Sequence, residues 1–98
     1  MRPTKEQNTI TLLANTADPT EITCYSYYRL KGYSPAAFQI CFAEDQAEGN
    51  SRIGSNRMEL PTGAFELDCN GLNAYVRSDT GSTIPKFTYT LEIEGFLQ

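Results

Sequence analysis

Few residues in this chain have the types and spacing that chemistry needs. The sharpest arrangement is Asp79-Thr80-Gly81-Ser82-Thr83. An Asp-Thr-Gly tripeptide can present a carboxylate to a second copy of itself, so that two close carboxylates share a proton. The same residues also suit a turn, with Asp bonded to its own backbone and Gly at positive φ. Glu44-Asp45-Gln46-Ala47-Glu48 offers oxygen ligands of the kind Ca²⁺ takes, but lacks the fixed spacing of a calcium loop. A solvated surface loop accounts for that charge run. Glu92 and Glu94 share one strand face, and paired carboxylates can hydrolyse glycosides, yet an outward face is where charges belong. The absence of histidine excludes Ser-His and Cys-His nucleophilic catalysis. No phosphate-cradling glycine loop is present.

Cys24, Cys41 and Cys69 are widely spaced, with no CxxC pair and no histidine to complete a metal site. Their odd number reads as reduced thiols serving as small, partly buried hydrophobes. In dimeric aspartic proteases the strand before Asp-Thr-Gly is apolar and buried, and the motif lies in the first quarter of the chain. Here Arg77-Ser78 precede Asp79 and the motif lies near the C-terminus, so the hairpin-turn reading prevails. The residues point to no enzyme, no cofactor and no metal. Tyr25, Tyr27, Tyr28 and Tyr33 form the remaining concentration of interest. Clustered tyrosines suit an interface or a sugar-stacking platform, because each ring supplies apolar area with a polar tip. Alternating core and surface positions explain them equally well. With Ile10 they are the candidate interface residues.

The elements that must position these side chains are mostly strands. At 98 residues the chain is one domain. Hydrophobic residues at 40% and charged residues at 20% exclude the profile of a disordered chain. A net charge of −4, with basic residues scattered from Arg2 to Lys86, argues against nucleic-acid binding. No apolar stretch approaches the roughly 20 residues that span a membrane. The N-terminal MRPTKEQNTITLL has no apolar signal-peptide core, so synthesis in a cytoplasm is expected; the sequence equally fits a domain excised from a larger chain, though Met1 suggests a complete gene product.

Residues 1–8 read as a flexible or assembly-ordered arm. Ile10 and Leu12 alternate with threonines, giving a strand near 8–14. After turn chemistry at 15–20, EITCYSYYRL predicts one strand over 21–30, and 31–35 a loop. Residues 36–48 read two ways. Phe38, Ile40 and Phe42 alternate as in a strand, whereas Ser34, Pro35 and Gly49 could start and stop a helix. Agreement with the flanking strands favours a strand over 37–43. Residues 44–56 form the longest predicted loop. Short strands follow at 57–60 and 64–68, and Asn70-Gly71 suits a turn with positive φ. From Leu72 onward the chain reads as strand, tight turn, strand, with Phe87, Tyr89, Leu91 and Ile93 on the dry face. About seven strands at this spacing predict an all-β fold, a small β-sandwich of immunoglobulin-like or jelly-roll-like type.

The segments RMELPTGAFELD at 57–68 and LNAYVRSDTGSTIPKFTYTLEIEGF at 72–96 carry a resemblance. The chain resembles small virion proteins of tailed bacteriophages, of the capsid decoration or head-fibre type. The resemblance implies a non-enzymatic β-sandwich subunit, made in a host cytoplasm and carried on the virion. It would bind the major capsid protein or another virion protein, as a homo-oligomer with a trimer favoured. It implies neither nucleic-acid nor membrane binding. The competing expectation is a carbohydrate- or protein-binding module of a tail or baseplate component.

Overall fold

The computed structural model of the chain describes residues 7–92. Eight strands and one helix follow in the order β1 (Gln7–Leu12), β2 (Thr20–Ile22), β3 (Arg29–Ser34), β4 (Phe38–Ala43), α1 (Gln46–Ser55), β5 (Met58–Leu60), β6 (Gly63–Asp68), β7 (Asn73–Ser78) and β8 (Ile84–Glu92). The antiparallel pairings nest: β1 with β8, β2 with β7, β3 with β6, β4 with β5. The chain is one long hairpin, with α1 at its tip. Rolling that hairpin brings β3 against β8 and β4 against β7. Two four-stranded sheets result, a front sheet β1-β8-β3-β6 and a back sheet β2-β7-β4-β5. This strand order is that of a jelly roll. The expected β-sandwich is present with eight strands, and its topology is the jelly-roll alternative rather than the immunoglobulin one.

Alternation builds the core between the sheets. Leu30 on β3, Phe38 and Ile40 on β4, Ala74 and Val76 on β7, and Ile84 and Phe87 on β8 are all buried there. Phe38, Phe65 and Phe87 form its aromatic centre, with ring centroids 5.1 to 5.4 Å apart. The Phe65 ring lies where a side chain on Gly32, its cross-strand partner, would project. A Cβ there would come within 2.7 Å of that ring and 2.1 Å of the Thr88 carbonyl oxygen.

The structure departs from the sequence expectations at three places. The predicted strand over 21–30 is two strands in different sheets. After Ile22 the Asn73 Oδ1 accepts from the Cys24 and Tyr25 N–H groups at 3.0 and 3.2 Å. Tyr27 N then closes a turn on Cys24 O at 3.0 Å. The backbone leaves the ladder and crosses to the front sheet, and the predicted loop at 31–35 is largely the rest of β3.

The predicted loop at 44–56 contains α1. Its start is neither Ser34 nor Pro35 but Asp45, whose side chain accepts from Glu48 N at 2.9 Å. Glu48 reaches back to Glu44 N at 2.9 Å, a variant of the capping box. The acidic run is therefore a helix N-terminus, where negative charge is favoured. Gly49, expected to stop a helix, lies buried inside this one.

The third departure is the C-terminal pair. β7 and β8 do not pair with each other, and residues 79–83 carry the chain between sheets rather than around a hairpin. Arg77 and Ser78 belong to β7. Among the described residues the left-handed positions are Asn70 (φ 55°), Gly63 (127°) and Gly71 (78°), so Asn70-Gly71 turns as expected while Gly81 does not take positive φ. Of the predicted arm, Gln7 and Asn8 lie in β1, and residues 1–6 lie outside the described part, as do Ile93 and Glu94.

Candidate functional site

The two outer faces of the sandwich differ. On the back sheet, Cys41 and Ala43 of β4 and Tyr75 of β7 point outward and are buried against Ile53 of α1. Tyr75 lies under the helix backbone at Gly49, and its hydroxyl donates to Glu21 Oε2 at 2.5 Å. Burial and the Glu21 carboxylate together push the Tyr75 phenol above its ordinary value. The Cys41 thiol donates to Gly49 O at 3.5 Å, and burial pushes it up too. The helix thus roofs one face.

The front sheet has no such roof among the described residues. Its outward side chains form three rows across the strands. At one end Arg29 lies between Glu92 and Asp68 in register, ion-paired to Glu66 and 3.8 Å from Asp68, with its guanidinium 4.7 Å from the Tyr28 ring centroid. In the middle row Lys31 stands between Thr90 and Glu66 and pairs with Glu92 at 3.1 Å. At the far end Tyr33 stands between Thr88 and Ala64. A shallow depression of about 300 Å³, open to solvent, is lined by Gln7, Lys31, Tyr33, Thr88, Thr90 and Glu92. A second, of about 340 Å³, lies across β3 beside Ala64, Phe65 and Glu66.

The candidate interface residues divide. Tyr25, Tyr28 and Tyr33 are exposed, at 58%, 41% and 51%. Ile10 and Tyr27 are half-buried and pack against the core. Tyr25 and Tyr28 lie around the β2–β3 corner, whereas Tyr33 is near the other end of β3, on the order of 15 Å from Tyr28 at a strand's rise per residue. The tyrosines therefore do not form one patch. Closeness in sequence had grouped them, and the corner at 23–28 followed by β3 spreads them out.

Asp79 is tied into structure. Its Oδ1 accepts from Gln39 Nε2 at 3.0 Å, while Gln39 Oε1 accepts from Arg77 Nε at 2.8 Å and Arg77 Nη1 donates to Ala17 O at 3.1 Å. The following residues are held by short-range bonds, Thr80 N to Ser78 Oγ at 3.1 Å and Ser82 N to Thr80 Oγ1 at 3.2 Å. These are the local hydroxyl bonds of a turn. No group of metal-ligating side chains converges among the described residues, and no helix among them is long and apolar enough to cross a membrane. Comparison of the chain with protein-family models, curated proteins and solved structures finds no match.

Proposed function

We propose that this chain is a non-enzymatic structural protein of a bacteriophage virion, a decoration subunit that binds the outer shell. The observation that carries the reading is the asymmetry of the sandwich. One broad face is closed by α1, and the other has no such cover among the described residues, is ordered by ion pairs and is edged by exposed tyrosines. Jelly rolls recur in viral capsid and lectin domains, an association at the level of fold alone. The mechanism is mass action: a subunit that binds only the assembled lattice stabilises that lattice. The partner is the major capsid protein or another virion protein, and the subunit acts as a homo-oligomer, a trimer in the favoured form, carried on the virion after synthesis in the host cytoplasm.

Density-gradient banding of particles from a producing culture, with detection of the chain by immunoblot, tests this. The chain should band with the capsids. Tyr25→Ala, Tyr28→Ala and Tyr33→Ala combined should weaken capsid binding at least about tenfold, the scale of losing an aromatic anchor. A chain left at the top of the gradient above intact particles would sink the proposal.

A second reading rests on Tyr33. An exposed ring beside a depression lined by Thr88, Thr90, Gln7 and the Lys31–Glu92 pair has the composition of a saccharide site, with a stacking surface and several polar partners. In that case glycan-array binding appears on the isolated chain and is lost in Tyr33→Ala.

A further inference from the structure

Both cysteines of the main core head turns at one end of the sandwich. Cys24 opens the turn closed by Tyr27 N on Cys24 O at 3.0 Å, and Cys69 opens the turn closed by Leu72 N on Cys69 O at 3.0 Å. The first turn leads from β2 to β3 and the second from β6 to β7, so each carries the chain from one sheet to the other. The turns are bound together. Cys69 N donates to Tyr28 O at 3.2 Å, Cys24 N to Asn73 Oδ1 at 3.0 Å, and Cys24 Sγ reaches Leu72 O at 3.3 Å. Both side chains are fully buried in the same cluster, and the neighbouring Cys69 together with burial pushes the Cys24 thiol up. Cys41 lies apart, on the outer side of the back sheet beneath α1.

We propose that Cys24 and Cys69 are a disulfide-forming pair, oxidised by a small-molecule disulfide such as oxidised glutathione, and that the bond staples the two sheet-crossing corners together. The step balances as two exchanges. The Cys69 sulfur attacks the glutathione disulfide, one glutathione leaves and takes up the Cys69 proton, and a mixed disulfide forms. The Cys24 sulfur then attacks the Cys69 sulfur, giving up its proton to the second departing glutathione. Two protein thiols are oxidised to one disulfide, and one glutathione disulfide is reduced to two thiols. Cys69 is the first attacker because the Cys24 thiol is held, its Sγ donating to Leu72 O at 3.3 Å. Since neither sulfur is exposed, the first exchange requires the corner to open locally.

The test uses the whole, unmutated chain. Reduced protein is equilibrated in a glutathione redox buffer, free thiols are alkylated, and the digest is mapped without reduction. The expected product is a monomer lacking two hydrogens, with the Cys24 peptide joined to the Cys69 peptide and only Cys41 alkylated. Its thermal midpoint should exceed that of the reduced chain by about 10 °C. Alkylation of both Cys24 and Cys69, a link to Cys41 or to a second chain, or glutathione retained on either residue would each overturn the assignment. A linked monomer whose midpoint does not rise would overturn the staple.

Discussion

Gly49 and Gly54 occupy the same short helix and should respond in opposite senses to the same substitution. A Cβ on Gly49 would meet the Tyr75 ring at 2.4 to 2.7 Å, whereas one on Gly54 meets nothing within 4 Å. Gly49→Ala is expected to lower stability by about 1–2 kcal/mol, because overpacking outweighs the helix-propensity gain. Gly54→Ala should raise it by about 0.5 kcal/mol. Urea midpoints of the two variants against the parent check both. The phenol of Tyr75 gives a pH signature as well. Its pKa in the folded chain lies above the ordinary 10.0, so the unfolded chain releases that proton first. Its contribution is complete below pH 10 and falls as pH rises past that value. The difference in urea midpoint between parent and Tyr75→Phe should therefore shrink above pH 10, and a constant difference would remove Tyr75 from that role. At this scale the sequence was legible where local chemistry decides. Asn70-Gly71 turned as its types require, and Phe38, Ile40 and Phe87 entered the core by alternation. The meeting of Cys24 with Cys69 was not legible, because 45 positions separate them and only the topology brings their turns together.

Helix α1 shows how an element can escape a reading of propensity. QAEGNSRIGS holds two glycines, an asparagine and two serines, all poor helix formers. Its stability comes from what lies around it: the Asp45 cap, the Glu48–Arg52 pair at 2.9 Å, Arg52 Nη1 on Phe42 O at 3.0 Å, and Arg57 Nη1 on Ile53 O at 3.1 Å. The cap signal, Asp followed three residues later by Glu, was present in the sequence, but an acidic run reads first as solvated charge. Asp45→Ala should cost about 1 kcal/mol, and hydrogen exchange should show the loss concentrated in residues 46–55. Equal loss across both sheets would mean that the cap is not what holds the helix. The break in the predicted 21–30 strand has a similar origin. Its period-2 pattern continues unbroken, but the Asn73 side chain captures two of its N–H groups from a distant strand. Three of the four edge strands are managed by length or irregularity. β2 and β5 are three residues each, and β1 changes register between Ile10 and Leu12.

As a whole, the molecule is wired by distant pairings. β1 must find β8 and β2 must find β7 before either sheet closes. The β4–β5 pair is the closest in sequence, so refolding should start near the hairpin tip and finish on the millisecond-to-second scale of non-local β proteins. Stopped-flow refolding complete within tens of microseconds would contradict this. Sandwich class followed from spacing, while the count of about seven strands missed the eighth made by the break at 23–28; nothing local distinguishes a rolled hairpin from an immunoglobulin order, since both use the same strands and turns. The front sheet, uncovered among the described residues, also bears on symmetry. Two copies that met through that one face would make a self-complementary, two-fold contact, which closes as a pair. A threefold ring needs two unlike surfaces per subunit, and the front sheet has them in its opposite margins, irregular β1 on one side and regular β6 on the other. In a ring joined margin to margin, all three broad faces stay free and can point the same way.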